Sequence, residues 1–162
     1  MKILIIGIVA SGKTTLAKKL SKEYNIKHYE IDLIVHDDKD NYKRTNEEQQ
    51  NLIKRINEND NWIIEGTLRK NLFNLLQLAD IIIYLDIPLM VRKRRILTRF
   101  IKQKLRIEKS NYKPDLKMLK NMYKWTKDFE KNKKEFENTI SKPGKKIIVL
   151  KSKKEIESFK IQ

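Results

Sequence analysis

Eight residues near the amino terminus have the types and spacing that hold a phosphate group. Residues 7–14 read Gly-Ile-Val-Ala-Ser-Gly-Lys-Thr, which fits the pattern G-x-x-x-x-G-K-[ST] at every fixed position. In such a phosphate-binding loop (P-loop), the glycines let successive backbone N–H groups point at phosphate oxygens. The lysine reaches the β- and γ-phosphates, and the final hydroxyl ligates Mg²⁺. The motif predicts a site for a nucleoside triphosphate, with ATP and Mg²⁺ as the expected ligands.

The residues on either side of the P-loop supply the strand and the helix that the motif requires. The apolar run Ile3–Ile6 precedes the loop, and Thr15–Leu20 continues a helix whose amino terminus adds partial positive charge. The alternative is a glycine-bearing turn between strand and helix that binds nothing, and the complete context favours the triphosphate site. The expected nucleotide-binding residues are Gly7, Ala10, Ser11, Gly12, Lys13, Thr14 and Thr15.

A second candidate group follows the third predicted strand, in the segment Trp62–Arg69. A carboxylate at a strand end beside a P-loop can hold Mg²⁺ through water, so Glu65 is the expected partner of Thr14 at the metal. A following arginine can grip an anionic acceptor, which is the role expected for Arg69. The alternatives are an ordinary acid at a strand end and an exposed charge at a helix start.

The pattern along the chain predicts a three-layer α/β fold. Apolar strands alternate with amphipathic stretches, which is typical of a parallel sheet with helices on both faces. We expect five strands in the order 2-3-1-4-5. The predicted strands are Lys2–Ile6, Lys27–Ile31, Trp62–Ile64, Ile81–Leu85 and Lys146–Leu150. The predicted helices lie near Lys13–Tyr24, Thr45–Asn59 (with a capping box at its start), Lys70–Leu78, Leu89–Lys104, Asp115–Asn138 and Lys153–Phe159.

Length and composition predict one soluble, cytoplasmic domain over residues 1–162. The chain is 40% hydrophobic without a run as long as a membrane span, and its first strand begins directly after Met1, so we expect no signal peptide. The absence of cysteine excludes disulfides, thiolate metal sites and thiol catalysis. The sequence gives no indication of the oligomeric state.

The net charge of +16 is strongly segregated along the chain. Residues 1–90 hold 13 basic and 13 acidic residues, whereas residues 91–162 hold 24 and 8. A surface for a polyanion such as DNA is one interpretation, and compositional drift towards lysine is the other. Lysines recur every three or four residues from Lys113 to Lys134, which places them on one helix stripe. Another face of the same helix is expected to be apolar, with Leu116, Leu119, Tyr123 and Phe136. A solvent-exposed helix face explains this lysine stripe better than a surface that binds phosphate groups.

Two segments carry a resemblance to a known group of enzymes. Glu65-Gly66-Thr67-Leu68-Arg69 resembles the D-G-[FY]-P-R segment of nucleoside monophosphate kinases, and Leu85-Asp86-Ile87-Pro88 followed by Arg95 and Arg99 is similar to the start of the adenylate kinase lid. The resemblance implies that Arg95 and Arg99 contact the transferred phosphoryl group and that Arg69 contacts the acceptor. Arg92, Arg95 and Arg99 share one helix face, which supports these assigned roles. The alternative is an exposed basic helix without such a role, which would show the same pattern.

Over about two thirds of its length the chain most resembles the adenylate-kinase-related proteins described as DNA topology modulation proteins. The resemblance implies an acceptor-binding region near residues 32–60 and a short lid near residues 92–114. Asp32 stands where shikimate and gluconate kinases place an acid near Mg²⁺ or the acceptor hydroxyl. No arginine follows Arg106, so Lys113, Lys117 or Lys120 would have to replace the arginines that usually return from the far side of the lid.

These observations together predict a P-loop kinase. We expect ATP- and Mg²⁺-dependent phosphoryl transfer to a nucleotide or another small molecule, with Lys13, Arg95 and Arg99 stabilising charge on the phosphoryl group. Thr14 and Glu65 are the expected metal residues, and Asp32 and Arg69 are the expected acceptor residues. The alternative is a nucleic-acid-associated regulator that binds ATP and uses its basic carboxyl-terminal region to bind DNA.

Overall fold

A five-stranded parallel sheet forms the centre of the protein, as a computed structural model covering residues 1–37, 42–108 and 114–161 shows. Its strands are β1 (Lys2–Ile6), β2 (His28–Glu30), β5 (Trp62–Gly66), β6 (Ile81–Leu85) and β7 (Lys146–Leu150), in the order β2-β5-β1-β6-β7. Counted among themselves, these strands have the order 2-3-1-4-5, so the predicted sheet is confirmed. Two short strands, β3 (His36–Asp37) and β4 (Tyr42–Lys43), form a separate antiparallel pair.

Helices cover both faces of this sheet. They are α1 (Lys13–Tyr24), α2 (Ile31–Val35), α3 (Asn46–Asn57), α4 (Leu75–Leu78), α5 (Leu89–Lys104), α6 (Leu116–Ser141) and α7 (Lys153–Ser158), with a 3₁₀ turn at Lys70–Leu72. None of the helices in the described ranges is long and apolar enough to cross a bilayer.

Alternation along the central strand β1 divides the core into two parts. Leu4 and Ile6 pack on one face, in a cluster that reaches Ile140 of α6. Ile3 and Ile5 pack on the other face, against α1 and α7. Successive strand residues point to opposite faces. A strand that is buried on both faces is therefore apolar throughout, which is why the sequence identified these strands.

The structure corrects the predicted boundaries around the second and third strands. The second strand ends at Glu30, and Asp32 lies in the first turn of α2 rather than at the strand end. The third strand continues through Glu65, which lies inside β5. A Cβ atom on Gly66 would be only 2.5 Å from Cβ of Ile31, so glycine at this position allows α2 to pack directly against the end of β5.

Further differences concern the helices. The predicted helix Lys70–Leu78 is divided into the 3₁₀ turn and α4, whereas the predicted capping box at Thr45 and Glu48 is present at the start of α3. Leu116, which was expected on the apolar face of α6, is 65% exposed, and the buried residues of this helix are Met122, Thr126 and Ile140.

Candidate active site

The P-loop connects β1 to α1 through a sharply turned backbone. Ala10 and Gly12 have positive φ angles of 59° and 105°, so the chain turns sharply before the helix. Gly12 is the N-cap of α1 and provides no side-chain cap, which leaves the first N–H groups of the helix for another acceptor. The Thr67 hydroxyl donates to the Gly7 carbonyl over 3.3 Å and ties the loop to the segment after β5.

The remaining predicted loop residues fall into two groups. Ser11 is fully buried, and its backbone N–H donates to the Ile8 carbonyl, so this residue stabilises the turn of the loop. Thr14 and Thr15 open α1, Thr15 being exposed. All the predicted nucleotide-binding residues therefore lie in one turn at the carboxyl end of β1, which is where ligands bind in open α/β sheets.

Lys13 lies over the loop with its ammonium group partly buried. Its Nζ atom donates to the Ile8 carbonyl over 3.0 Å. Burial lowers the pKa of Lys13, and the nearby carboxylates of Glu65 and Asp32 partly oppose this shift. An ammonium group that is desolvated in this way gains from an anionic ligand, since a phosphate oxygen would favour its charged form.

Thr14 and Glu65 form the candidate metal site. The Thr14 hydroxyl donates to Oε1 of Glu65 over 2.6 Å, and Glu65 is 3% exposed. Burial raises the pKa of Glu65, while the bond from Thr14 and the charge of Lys13 lower it. No group of three His, Cys, Asp or Glu side chains suitable for a metal occurs among the described residues. A hydroxyl and one carboxylate nevertheless fit Mg²⁺, which usually takes its other ligands from water and substrate phosphates.

Asp32 and Arg69 meet on the acceptor side of the site. Nη2 of Arg69 lies 3.0 Å from Oδ1 of Asp32, and both side chains reach solvent, at 35% and 74% exposure. Asp32 comes from α2, and Arg69 comes from the loop after β5. Because β2 and β5 are neighbours in the sheet, residues distant in sequence meet here. The structure thus brings the two predicted acceptor residues together as an ion pair.

The three arginines of α5 have different environments. Nη1 of Arg95 donates to the carbonyls of Ala10 and Ser11 over 3.2 and 2.9 Å, so this residue lies on the P-loop, where partial burial lowers its pKa. Nε of Arg99 lies 3.4 Å from Oε1 of Glu108, and its charge contributes to the lowered pKa of Lys13. Arg92 is not part of this site.

Arg92 instead joins α5 to α6 inside the protein. It is 1% exposed, donates from Nε to the Ile87 carbonyl over 2.8 Å, and forms an ion pair with Glu130. Its guanidinium group also lies 5.9 Å from the ring centre of Phe129. Arg92 therefore has a structural environment unlike those of Arg95 and Arg99, whose contact with a phosphoryl group stays a prediction.

Two residues near the site were missed by sequence reasoning. Thr67 binds the P-loop carbonyl, and Glu30 is paired in register with Glu65 and contributes to its raised pKa. The position of Glu30 near Glu65 could have been predicted, because the predicted strand order places the second and third strands side by side. Part of the predicted acceptor region (residues 38–41) and part of the predicted lid (residues 109–113, including Lys113) lie outside the described residues.

The chain is similar to several known proteins. A family model described as AAA domain matches residues 3–114. Cytidylate kinase from Sulfolobus acidocaldarius is 34% identical over 114 residues, which are 61% of this chain and 62% of that enzyme. The chain thus spans less than two thirds of this curated relative.

Two solved structures share the fold at low sequence identity. Shikimate kinase from Bacteroides thetaiotaomicron has a TM-score of 0.58 and 18% identity, covering 96% of this chain and 92% of that one. Shikimate kinase from Acinetobacter baumannii in complex with shikimate has a TM-score of 0.59 and 12% identity, covering 93% and 82%. Since the AAA domain model matches well over half of its residues, the chain belongs to that family of P-loop proteins, here with a small-kinase fold.

Proposed function

We propose that this protein transfers the γ-phosphoryl group of ATP to a small acceptor. The observation that carries the proposal is the convergence of Lys13, the Thr14–Glu65 pair and the Asp32–Arg69 pair at the carboxyl ends of the neighbouring strands β1, β5 and β2. In the proposed step, an acceptor oxygen forms a new P–O bond while the bond between the γ-phosphorus and the bridging oxygen of the β-phosphate breaks and ADP leaves. A hydroxyl acceptor would also lose its proton, to the Asp32 carboxylate or to water.

Each group in the site has a distinct part in this proposal. Lys13 and the amino terminus of α1 bind phosphate oxygens, and Arg99 lies near enough to Lys13 to stabilise the same charge. Thr14 and Glu65 would hold Mg²⁺, which when bound supplies charge neutralisation on the triphosphate. Arg95 donates to two carbonyls of the P-loop, so we propose that it positions this loop. We also propose that it contacts the transferred phosphoryl group.

The acceptor is either a nucleotide or another small molecule. Similarity to a cytidylate kinase supports a nucleotide, as does the resemblance of residues 65–69 to a segment of nucleoside monophosphate kinases. Fold similarity to shikimate kinases allows a hydroxyl-bearing small molecule as well. In either case the exposed Asp32–Arg69 pair is the proposed contact, because its carboxylate can accept from a hydroxyl and its guanidinium can bind an anion.

The test is ADP release with a panel of nucleoside monophosphates and hydroxyl-bearing metabolites. We expect Lys13→Ala to lose turnover by about a thousandfold or more, since the ammonium group binds the transferred phosphate. Lys18→Ala, which alters an exposed lysine of the same helix, is the matched control. Circular dichroism of both variants checks the fold. Unchanged turnover in Lys13→Ala would contradict the proposed kinase.

A further inference from the structure

Helix α5 presents an apolar face to solvent in addition to the face that packs. Arg92, Ile96 and Gln103 point inward and are buried. The opposite side carries large apolar side chains at intervals of seven, four and four residues, which place them in one ridge. These residues, with their exposure, are Met90 (62%), Leu97 (45%), Ile101 (48%) and Leu105 (64%), and Ile107 (70%) is exposed shortly after the helix.

All the charged residues of α5 are basic. Residues 89–104 contain no Asp or Glu, and the exposed Arg94 lies within the ridge. Lys102 and Lys104 are exposed at its two sides, and Arg106 follows in the next turn. An outward apolar ridge between cations is the pattern of helices that lie in a membrane interface, where the apolar side chains enter the acyl boundary and the cations contact anionic head groups.

We infer that the outward ridge of α5 docks on an anionic lipid surface. Charge excludes a second copy of this chain, because two such ridges would bring only like charges together. A nucleic acid would engage the cations but would leave four aliphatic side chains without a partner. An acidic amphipathic helix would also have complementary chemistry, so a failure to bind anionic vesicles would favour that partner instead. A lipid surface accepts a convex apolar ridge and supplies the negative charge.

The position of the ridge leaves the P-loop accessible in the docked state. Arg95 contacts the P-loop from a different side of α5, and the ridge points away from the buried residues of that helix. The interaction is peripheral, since the described helices do not include one that could span a bilayer. A single ridge of this size predicts weak, reversible binding rather than stable anchoring.

Sedimentation with vesicles tests the docking surface. We expect the wild-type protein to partition onto phosphatidylcholine vesicles containing about one third phosphatidylglycerol at 0.15 M salt, and much less onto pure phosphatidylcholine. The double variant Leu97→Gln/Ile101→Gln should lower the partition coefficient about tenfold, since its apolar side chains no longer enter the interface. Val149→Gln, which alters a side chain of similar exposure (42%) on β7, is the matched control and should bind like the wild type.

A site-specific label distinguishes insertion at the ridge from general charge attraction. The chain has no cysteine, so Leu97→Cys or Val149→Cys can carry one environment-sensitive fluorophore. We expect a blue shift on anionic vesicles at position 97 and not at 149. The inference is overturned if neither vesicle binds, if both vesicle types bind equally, if the ridge variant binds like the wild type, or if only duplex DNA binds at this salt.

Discussion

Lys13 and Glu65 are two desolvated groups whose charged forms depend on each other and on ligands. Burial shifts both towards their neutral forms, because it lowers the pKa of the ammonium and raises the pKa of the carboxyl. Their mutual attraction opposes both shifts. A triphosphate beside Lys13 and a divalent cation beside Glu65 would supply the missing opposite charges. The charges of these two residues therefore favour an anionic ligand beside Lys13 and a cationic ligand beside Glu65.

The Glu65→Gln variant tests how the buried carboxyl affects the free energy of unfolding. Since burial raises the pKa of this carboxyl in the folded protein, its contribution to stability is present at acid pH and is lost as pH rises through the raised value. Without nucleotide, Glu65→Gln should therefore be more stable than the wild type at pH 8, and this difference should disappear near pH 4. Urea unfolding at both pH values measures it.

The same variant should bind Mg²⁺ less well, because it loses the carboxylate of the metal site. We expect the Mg²⁺ concentration for half-maximal turnover to rise about 10–100-fold. Glu23→Gln, at an exposed carboxylate of α1, is the control. A Glu65→Gln variant with a normal Mg²⁺ requirement would remove this residue from the metal site.

The two arginines near the P-loop should give different kinetic effects. Arg99→Ala should lower kcat by up to about a thousandfold with little change in KM for ATP, as expected for a group that stabilises developing charge. Arg95→Ala should lower kcat and also raise KM, because the carbonyls of Ala10 and Ser11 lose their donor. Arg94→Ala, on the exposed side of α5, is the control. An Arg99→Ala variant with normal kcat and reduced thermal stability would indicate a purely structural role.

Among the helices and strands, those with a clear local pattern were predictable, whereas those placed by contacts distant in the sequence were not. The bounds of β1, α1 and α5 agree with the sequence prediction, because a glycine loop and a long amphipathic pattern define them locally. Helix α2 was missed because five residues are too few to distinguish a helical pattern from the end of an apolar strand. Its position also depends on the contact between Ile31 and Gly66, which are 35 residues apart in the sequence. Contacts of this kind are set by the sheet order and cannot be read from a local pattern.

The ion pair between α5 and α6 predicts an asymmetric effect on stability. Arg92 is 1% exposed, whereas the side chain of Glu130 is 34% exposed. Glu130→Gln should lower the free energy of unfolding by about 3 kcal/mol, because it leaves a buried cation without its counter-charge. Arg92→Met should cost about 1 kcal/mol, since the remaining carboxylate reaches solvent. Glu135→Gln and Arg94→Met, at exposed positions of the same helices, are the controls, and equal losses from both test variants would contradict the prediction.

At the scale of the whole molecule, sequence showed the charge asymmetry but not which charges are accessible. The described lysines of the α6 stripe are all exposed, namely Lys117, Lys120, Lys124, Lys127, Lys131 and Lys134. Arg92 belongs to the same basic half and is buried. Composition alone treats these residues alike. The P-loop was predictable because its motif is local, whereas the Asp32–Arg69 pair needed two neighbouring strands to bring it together.

The exposed lysine stripe predicts weak binding to duplex DNA that salt removes. Each phosphate contact releases counterions, so affinity falls steeply as salt rises, and a few surface lysines cannot hold a duplex near about 0.2 M salt. We expect measurable binding without sequence preference at about 0.05 M salt, and its loss at 0.2 M, in fluorescence anisotropy. Lys120→Glu/Lys124→Glu/Lys127→Glu should abolish the low-salt binding and leave ATP turnover unchanged. The matched control changes Lys18, Lys22 and Lys54, which are exposed on other helices, to Glu. Tight duplex binding at 0.2 M that only the α6 variant removes would instead favour a nucleic-acid-associated regulator over a metabolic kinase.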